Sequence, residues 1–102
     1  MIHVIAVLKA KPGKRDAMLS AFRANVPNVL AEPGCIEYGA AVDIETGLSW
    51  QAKYGPDALV VVEKWADVGA LQAHAAAPHM KAYAKEIAEL VADRAIYVLS
   101  PT

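Results

Sequence analysis

The hydrophobic residues of this chain follow two spacings, one typical of β-strands and one typical of α-helices. Short β-branched runs predict strands at residues 2–9, 35–43, 58–65 and 94–99. Apolar positions that recur every three or four residues predict helices at residues 14–31, 67–76 and 78–91. The order β-α-β-β-α-α-β predicts an α+β fold of the ferredoxin-like split βαβ kind, as one domain over residues 1–102. We therefore expect a four-stranded antiparallel sheet with its helices on one face.

Single residues indicate where the helices begin, bend and end. Pro27 removes one backbone hydrogen bond inside the first helix, so we expect a kink or a break there. The turn Glu32-Pro33-Gly34 then ends that helix. Asp67 is a candidate N-cap of the second helix, and Pro78 suits the first turn of the third.

The connection at residues 44–57 is long and contains two large aromatic side chains. Its apolar positions alternate as in a short extra strand: Leu48, Trp50, Ala52 and Tyr54. A connection of this length is often functional, as a lid over a pocket or as an arm that reaches a partner. The alternation favours the arm.

The composition indicates a second buried surface. Apolar residues make up 56% of the 102 residues, against the usual ~45–50%. A domain of this size has a high surface-to-volume ratio and cannot bury so much apolar surface in one core. The predicted sheet also has one face without helices. We therefore expect a homodimer formed through the bare sheet face and the 44–57 arm.

Charge, hydropathy and cysteine content exclude several kinds of partner. The net charge is −1 and the Lys and Arg residues are scattered, which gives no electrostatic reason to bind nucleic acid or anionic lipid. No segment approaches the ~18 apolar residues that span a bilayer, and the N-terminus lacks the features of a signal peptide. Cys35 is the only cysteine, which fits a reducing compartment. We expect a cytoplasmic protein with no nucleic-acid or membrane partner.

The segment from residue 61 to residue 83 concentrates the residue types that chemistry requires. The candidate catalytic residues are His74, His79 and Tyr83, and the candidate substrate-binding residues are Trp65, Tyr38, Met80, Trp50 and His3. Each also has a structural interpretation, as a surface, capping or first-turn histidine, a packing residue or an arm anchor. Glu63 shares a strand face with the Trp and must find a partner, either Lys81 or solvent. No HxxxH spacing is present, so we expect no metal site.

Short matches along nearly the whole chain carry a family likeness. They are Val4-Ile5-Ala6, Val26-Pro27, Val29-Leu30, Gly34-Cys35, Tyr38, Val42-Asp43, Gly47, Ser49, Gln51, Pro56-Asp57, Glu63, Trp65, Leu71, Ala73-His74 and Pro78-His79-Met80-Lys81-Ala82-Tyr83. On these residues the chain resembles the antibiotic-biosynthesis-monooxygenase family, and within it the bacterial YgiN-type quinol monooxygenases. The resemblance implies a dimeric α+β barrel.

The resemblance also implies a reaction, the oxidation of a small aromatic quinol or polyphenol by O₂ without flavin, haem or metal. The haem-degrading branch fits poorly, since it has Trp at the position of His74 and His at the position of Ala84. In the implied chemistry a histidine removes the phenolic proton, aromatic side chains hold the ring, and a Tyr, Trp or Lys stabilises the oxyanion. The same residues would serve a small-molecule isomerase, or a non-catalytic member of the fold that only binds a ligand.

Overall fold

The structure, a computed structural model, describes residues 1–102. Its elements are β1 (Ile2–Ala10), α1 (Arg15–Leu30), β2 (Cys35–Ala41), β3 (Ala58–Trp65), α2 (Val68–Ala76), α3 (Pro78–Ile87) and β4 (Val91–Leu99). The strands form one four-stranded sheet in the order β2-β3-β1-β4, and all neighbouring strands are antiparallel. The predicted α+β ferredoxin-like fold, with its element order, is confirmed.

One face of the sheet carries the hydrophobic core. Alternate residues of the central strands β1 and β3 are buried on this face, because α1 and α2 pack against it and α3 packs on these two helices. The core residues that also border the functional site are Val4, Ala6, Leu8, Phe22, Tyr38, Val61, Tyr83 and Ile87. The two central strands therefore form the floor on which the site is built.

α1 continues through Pro27 to Leu30, so the break that the sequence suggested does not occur. Pro27 lies in the last turn of the helix, where its missing N–H removes only the hydrogen bond to the carbonyl of Arg23. The helix closes normally beyond it, because the N–H of Ala31 donates to the Pro27 carbonyl at 3.2 Å. None of the helices combines the length and apolar character needed to cross a membrane.

The boundary between α3 and β4 differs from the prediction. The predicted helix at 78–91 ends at Ile87, and β4 already begins at Val91. The N–H of Leu90 donates to the Ile87 carbonyl at 2.8 Å in a turn, and Val91 pairs with Ala10 of β1. The spacing of Leu90 and Val91 also suited a helix, but the pairing of Val91 with β1 makes it part of a strand.

The turn between α1 and β2 is packed against the start of α2, and this contact positions the site. Gly34 has a φ of +84°, and a Cβ there would lie 2.6 Å from the Cβ of Ala70. The Gly34 carbonyl accepts from the N–H of Ala66 at 2.8 Å. Asp67 caps α2 as predicted, since its carboxylate accepts from the N–H of Ala70 at 2.8 Å. These contacts bring Glu32 next to α2.

The connection between β2 and β3 contains no strand, so the predicted extra strand within residues 44–57 is wrong. The loop closes on itself at its base, where the Asp43 carboxylate accepts from the N–H groups of Gly55 at 2.9 Å and Tyr54 at 3.2 Å. These two hydrogen bonds lower the pKa of Asp43, and the bond from Gly55 has the larger effect. A strand needs a neighbouring strand to satisfy its backbone, and this loop has none. Trp50 is left 80% exposed.

The opposite face of the sheet has no helix against it. Its side chains alternate with those of the core and are largely apolar; they include Ile5, Val7, Val60, Val62 and Tyr97. Tyr97 is 54% exposed. The predicted bare face is therefore present in the single chain.

Candidate functional site

A cavity of about 730 Å³ lies between the core face of the sheet and the helices, a volume typical of small-molecule sites. Its wall is mostly apolar, and its polar lining residues differ in exposure. We call the buried part, which contains Tyr38, Glu63, His74 and Tyr83, the inner end, and the exposed part, which contains Lys81, Asp93 and Arg94, the outer end. The inner end holds most of the candidate residues.

His74 is buried at the inner end and is held by a carboxylate. Its Nδ1 lies 2.7 Å from Oε2 of Glu32, and both side chains are almost fully buried. An ionised carboxylate can only accept a hydrogen bond, so Nδ1 carries the proton and Nε2 keeps a free lone pair. No other protein group bonds to this ring. The arrangement can therefore accept a proton at Nε2 while the charge that develops is offset by Glu32.

Trp65 and Glu63 form a second buried pair beside His74. The indole Nε1 of Trp65 donates to Oε1 of Glu63 at 2.9 Å, and the indole ring lies 4.6 Å from the His74 ring, between centroids. The expectation that Lys81 or solvent is the partner of Glu63 is wrong, since the partner is Trp65. Burial raises the pKa of Glu63, and the Trp65 hydrogen bond opposes this shift. Glu63 therefore resists ionisation more than an exposed glutamate does.

Three aromatic side chains line the cavity next to these groups. Phe22 stacks on Tyr38 with a centroid separation of 5.2 Å and meets Tyr83 edge-on at 6.4 Å. The Tyr83 hydroxyl is buried and has no hydrogen-bond partner. Burial raises the pKa of Tyr83 to about 12 and also raises the pKa of Tyr38. Both phenols therefore remain protonated donors, and that of Tyr83 is left available to a ligand.

His79 lies beside the cavity wall, in the first turn of α3. Its Nε2 is 3.3 Å from the same Glu32 oxygen that holds His74, but the geometry is not that of a hydrogen bond, and both ring nitrogens are buried without a partner. Met80 lines the cavity and its sulfur accepts from Asn25 of α1 at 3.3 Å. No three His, Cys, Asp or Glu side chains are arranged to hold a metal ion.

The remaining candidate residues lie away from the cavity surface. Trp65 is fully buried behind the inner end, where it contacts His74 and Glu63. His3 pairs with Lys64 across β1 and β3, on the face opposite the helices. Trp50 is on the exposed loop and does not line the cavity. Of the eight candidates, the cavity wall includes His74, Tyr83, Tyr38 and Met80.

Two carboxylates of the site were not among the candidates. Glu32 had no signal in the sequence, because Glu-Pro-Gly indicated only the end of a helix. Glu63 had one, because strand alternation placed it on the face of Trp65. A carboxylate inside an apolar strand needs a partner or a role.

Comparison with known proteins assigns the chain to a family. The family model described as antibiotic biosynthesis monooxygenase matches residues 1–86. The chain belongs to the antibiotic biosynthesis monooxygenase family. The match runs from β1 into α3 and includes the inner end of the cavity with Glu32, Glu63 and His74.

Relatives of this monooxygenase-family chain extend the likeness over its full length. It is 40% identical over 103 aligned residues to a protein of Escherichia coli (strain K12) named "Probable quinol monooxygenase YgiN", an alignment that covers 99% of this chain and 98% of the relative. The structure of PA3566 from Pseudomonas aeruginosa superposes with a TM-score of 0.82 at 25% identity, covering 99% of this chain and 93% of that one. For Rv0793 from Mycobacterium tuberculosis the TM-score is 0.80 at 26% identity, with 99% and 94% covered.

We predict that Glu63→Gln in this family member changes how stability depends on pH. The pKa of Glu63 is raised in the folded protein, so Glu63 makes its full contribution to the free energy of unfolding below pH 4.5, its ordinary pKa. That contribution is lost as pH rises towards the folded-state pKa. The free energy of unfolding of the variant, relative to wild type, should therefore increase as pH rises above 4.5. Urea unfolding between pH 4 and pH 8, about the range where carboxylates and histidines titrate, measures this difference.

The matched control for that experiment is Glu37→Gln. Glu37 is exposed on the neighbouring strand and pairs with Lys64 at 2.8 Å, a surface pair of the kind that contributes little. It should show almost no pH-dependent difference. An equal offset of Glu63→Gln at every pH would mean that Glu63 titrates alike in the folded and unfolded chain.

Proposed function

We propose that this protein is a quinol monooxygenase that oxidises a small aromatic quinol with O₂ in the cavity, without flavin, haem or metal. The observation that carries the proposal is the His74–Glu32 pair at the buried end of a largely apolar cavity. Membership of the monooxygenase family and the relative named as a probable quinol monooxygenase support it.

The proposed reaction begins with a proton transfer. A quinol hydroxyl at the inner end gives its proton to Nε2 of His74, and Glu32, 2.7 Å from Nδ1, stabilises the imidazolium that forms. The quinolate that remains is a stronger reductant than the quinol and reduces O₂. One oxygen atom bonds to a ring carbon, whose hydrogen is lost, and the other leaves as water. Quinol plus O₂ thus gives hydroxyquinone plus water, with no other reductant.

The other groups of the inner end have roles that match their protonation. The Tyr83 hydroxyl is a buried donor without a partner, so it is suited to donate to the negative oxygen of the quinolate. Phe22 and Tyr38 present aromatic faces and edges to a planar ring. His79 is the second base candidate, since it also lies near Glu32.

Oxygen uptake with menadiol as substrate tests the proposal directly. The rate, corrected for autoxidation, should scale with enzyme and persist with a chelator and in flavin-free protein. Monooxygenation consumes one O₂ per quinol and releases no peroxide, so added catalase should return no O₂. Return of O₂ by catalase would mean simple quinol oxidation. Absence of any enzyme-dependent uptake would contradict the proposal and favour an isomerase or a ligand-binding role, which anaerobic ligand screening would separate.

The proposal includes a homodimer that covers the bare sheet face. Ile5, Val62 and Tyr97 lie on that face without a helix over them. The radius of gyration is 14.1 Å, compared with about 13 Å for a compact domain of this length, as expected when the 44–57 arm projects. Contact between two such faces would bury apolar surface that one chain cannot. We place this dimer in the cytoplasm, because a single cysteine fits a reducing compartment.

We predict that Trp50→Ala weakens this dimer more than it affects ligand binding. Wild type should sediment at twice the chain mass of 10.9 kDa, and the variant should dissociate at a higher protein concentration, because an exposed Trp on an arm is suited to anchor a partner. Analytical ultracentrifugation over a dilution series measures both. A wild-type monomer at micromolar concentration would rule out the dimer, and an unchanged dissociation constant would rule out the anchor.

A further inference from the structure

The cavity is much larger than the ring that the proposed function places in it. Its volume is about 730 Å³, whereas an engineered cavity of roughly 150 Å³ already binds one benzene ring. A fused bicyclic quinol at the inner end would leave the rest of the cavity empty or filled with water. The site therefore has room for a substituent that extends from the ring towards the outer end.

The outer end carries two cationic side chains that form no ion pair. Lys81 of α3 and Arg94 of β4 both line the cavity, and the ion pairs of the chain are formed by other residues. Asp93 is the one carboxylate beside them, and it accepts from the backbone N–H of Arg94 at 2.9 Å. It also stands opposite Lys9 of β1 in the strand register. The outer end therefore keeps an excess of positive charge.

The register of the sheet sets the distance between the two ends. Glu63 at the inner end pairs with Val4, and Arg94 at the outer end pairs with Leu8 of the same strand β1. Glu63 and Arg94 are separated by two strand spacings across the sheet and by four residues along β1. Their Cα atoms therefore lie about 17 Å apart. Both residues line the cavity. A ligand that uses both ends must carry its polar groups at its own opposite ends.

We propose that Arg94 and Lys81 are specificity residues that bind an anionic group, and that the substrate is a fused-ring quinol with a carboxylate remote from the hydroxyl bound at His74. The guanidinium of Arg94 can hold a carboxylate by two parallel hydrogen bonds, and Lys81 adds a second charge. This inference rests on the proposed function for the inner hydroxyl site, but the anion site is tested by binding alone.

The test is calorimetric titration of the full-length protein with three probes that undergo no turnover. They are 6-hydroxy-2-naphthoate, with its groups at opposite ends, 3-hydroxy-2-naphthoate, with its groups adjacent, and uncharged 2-naphthol. We expect the first to bind about fivefold more tightly than either of the others, the upper end of what one exposed ion pair supports. The preference should diminish as salt is added.

Variants assign the preference to the proposed residues. In Arg94→Gln with Lys81→Gln, 6-hydroxy-2-naphthoate should bind no better than 2-naphthol, while the affinity for 2-naphthol stays unchanged. Lys85→Gln is the matched control, because Lys85 lies four residues along α3 and does not line the cavity; it should keep the full preference.

Three outcomes would overturn the inference: equal affinity for the three probes, equal affinity for the two isomeric naphthoates, or a preference that survives in the double variant. None of them depends on turnover. If the preference is present and no quinol is oxidised, the anion site stands and the proposed reaction fails. If menadiol is oxidised and no preference is found, the reaction stands and the anion site fails.

Discussion

Replacing His74 with alanine is expected to lower kcat for O₂-dependent quinol oxidation by about 10²–10⁴-fold, the usual contribution of a general base. The substitution removes the only group at the inner end whose free nitrogen lone pair is oriented by a buried carboxylate 2.7 Å away. The loss should appear in kcat more than in KM, because the aromatic wall that holds the ring is untouched. Oxygen uptake over a range of menadiol concentrations separates the two constants.

Two further variants show whether the loss is chemical or structural. Glu32→Gln keeps the size of the side chain, but its amide can donate to Nδ1 and move the ring proton to Nε2, so kcat should fall by about 10²-fold or more. Gln72→Ala changes an exposed polar residue on the same helix α2 and should keep wild-type kcat. Full activity of His74→Ala in a protein that melts cooperatively would exclude His74 as the base and leave His79.

Replacing Trp65 with alanine is expected to reduce the free energy of unfolding by about 3–5 kcal/mol, the range measured for large aromatic residues in cores. Trp65 is fully buried, so the variant leaves a cavity. It also leaves the Glu63 carboxyl without the indole N–H that now lies 2.9 Å away. The total stability of such a domain is only about 5–15 kcal/mol, so the loss should be visible as a large shift of the urea midpoint at fixed protein concentration.

Trp65→Phe divides this effect into packing and hydrogen bonding. Phenylalanine keeps most of the aromatic contact with His74 but cannot donate to Glu63. We expect a loss of about 1–3 kcal/mol, the cost of an unsatisfied buried polar group. The loss should grow as pH rises, because removing the donor raises the pKa of Glu63 further. A Trp65→Ala variant within about 1 kcal/mol of wild type would mean that the surrounding helices close the cavity.

The fold could be predicted because its signals are local. The β-branched run predicted β3 with the bounds that the structure shows, 58–65, and the Asp67 cap predicted the start of α2. The errors fall where two patterns compete. Leu90 and Val91 fit the stripe of a helix, yet Val91 pairs with β1. The loop at 44–57 alternates like a strand, yet a single chain offers it no neighbour.

The site could be predicted only in part, because its residues are distant in sequence. The local segment that ends at Tyr83 supplied His74, Tyr83 and Met80, since one helix pair carries them. The partner of His74 is 42 residues away, at Glu32. No spacing rule links a helix-terminal Glu-Pro-Gly turn to a histidine on another helix. The position of Arg94 on the cavity wall likewise depends on strand order.

The sequence by itself determined the element types, their order, the bare apolar face of the sheet and the family likeness, because each depends on periodicity or on short motifs. Only the tertiary structure decided the chemistry of the inner end. The turn at Gly34 packs so closely on α2 that an added Cβ would lie 2.6 Å from the Cβ of Ala70. This packing brings Glu32 to His74. The pleat of β3 places Glu63 and Trp65 on the same face of the sheet. Burial then limits the access of water to both carboxylates, so that each depends on a partner that the fold provides, His74 for Glu32 and Trp65 for Glu63.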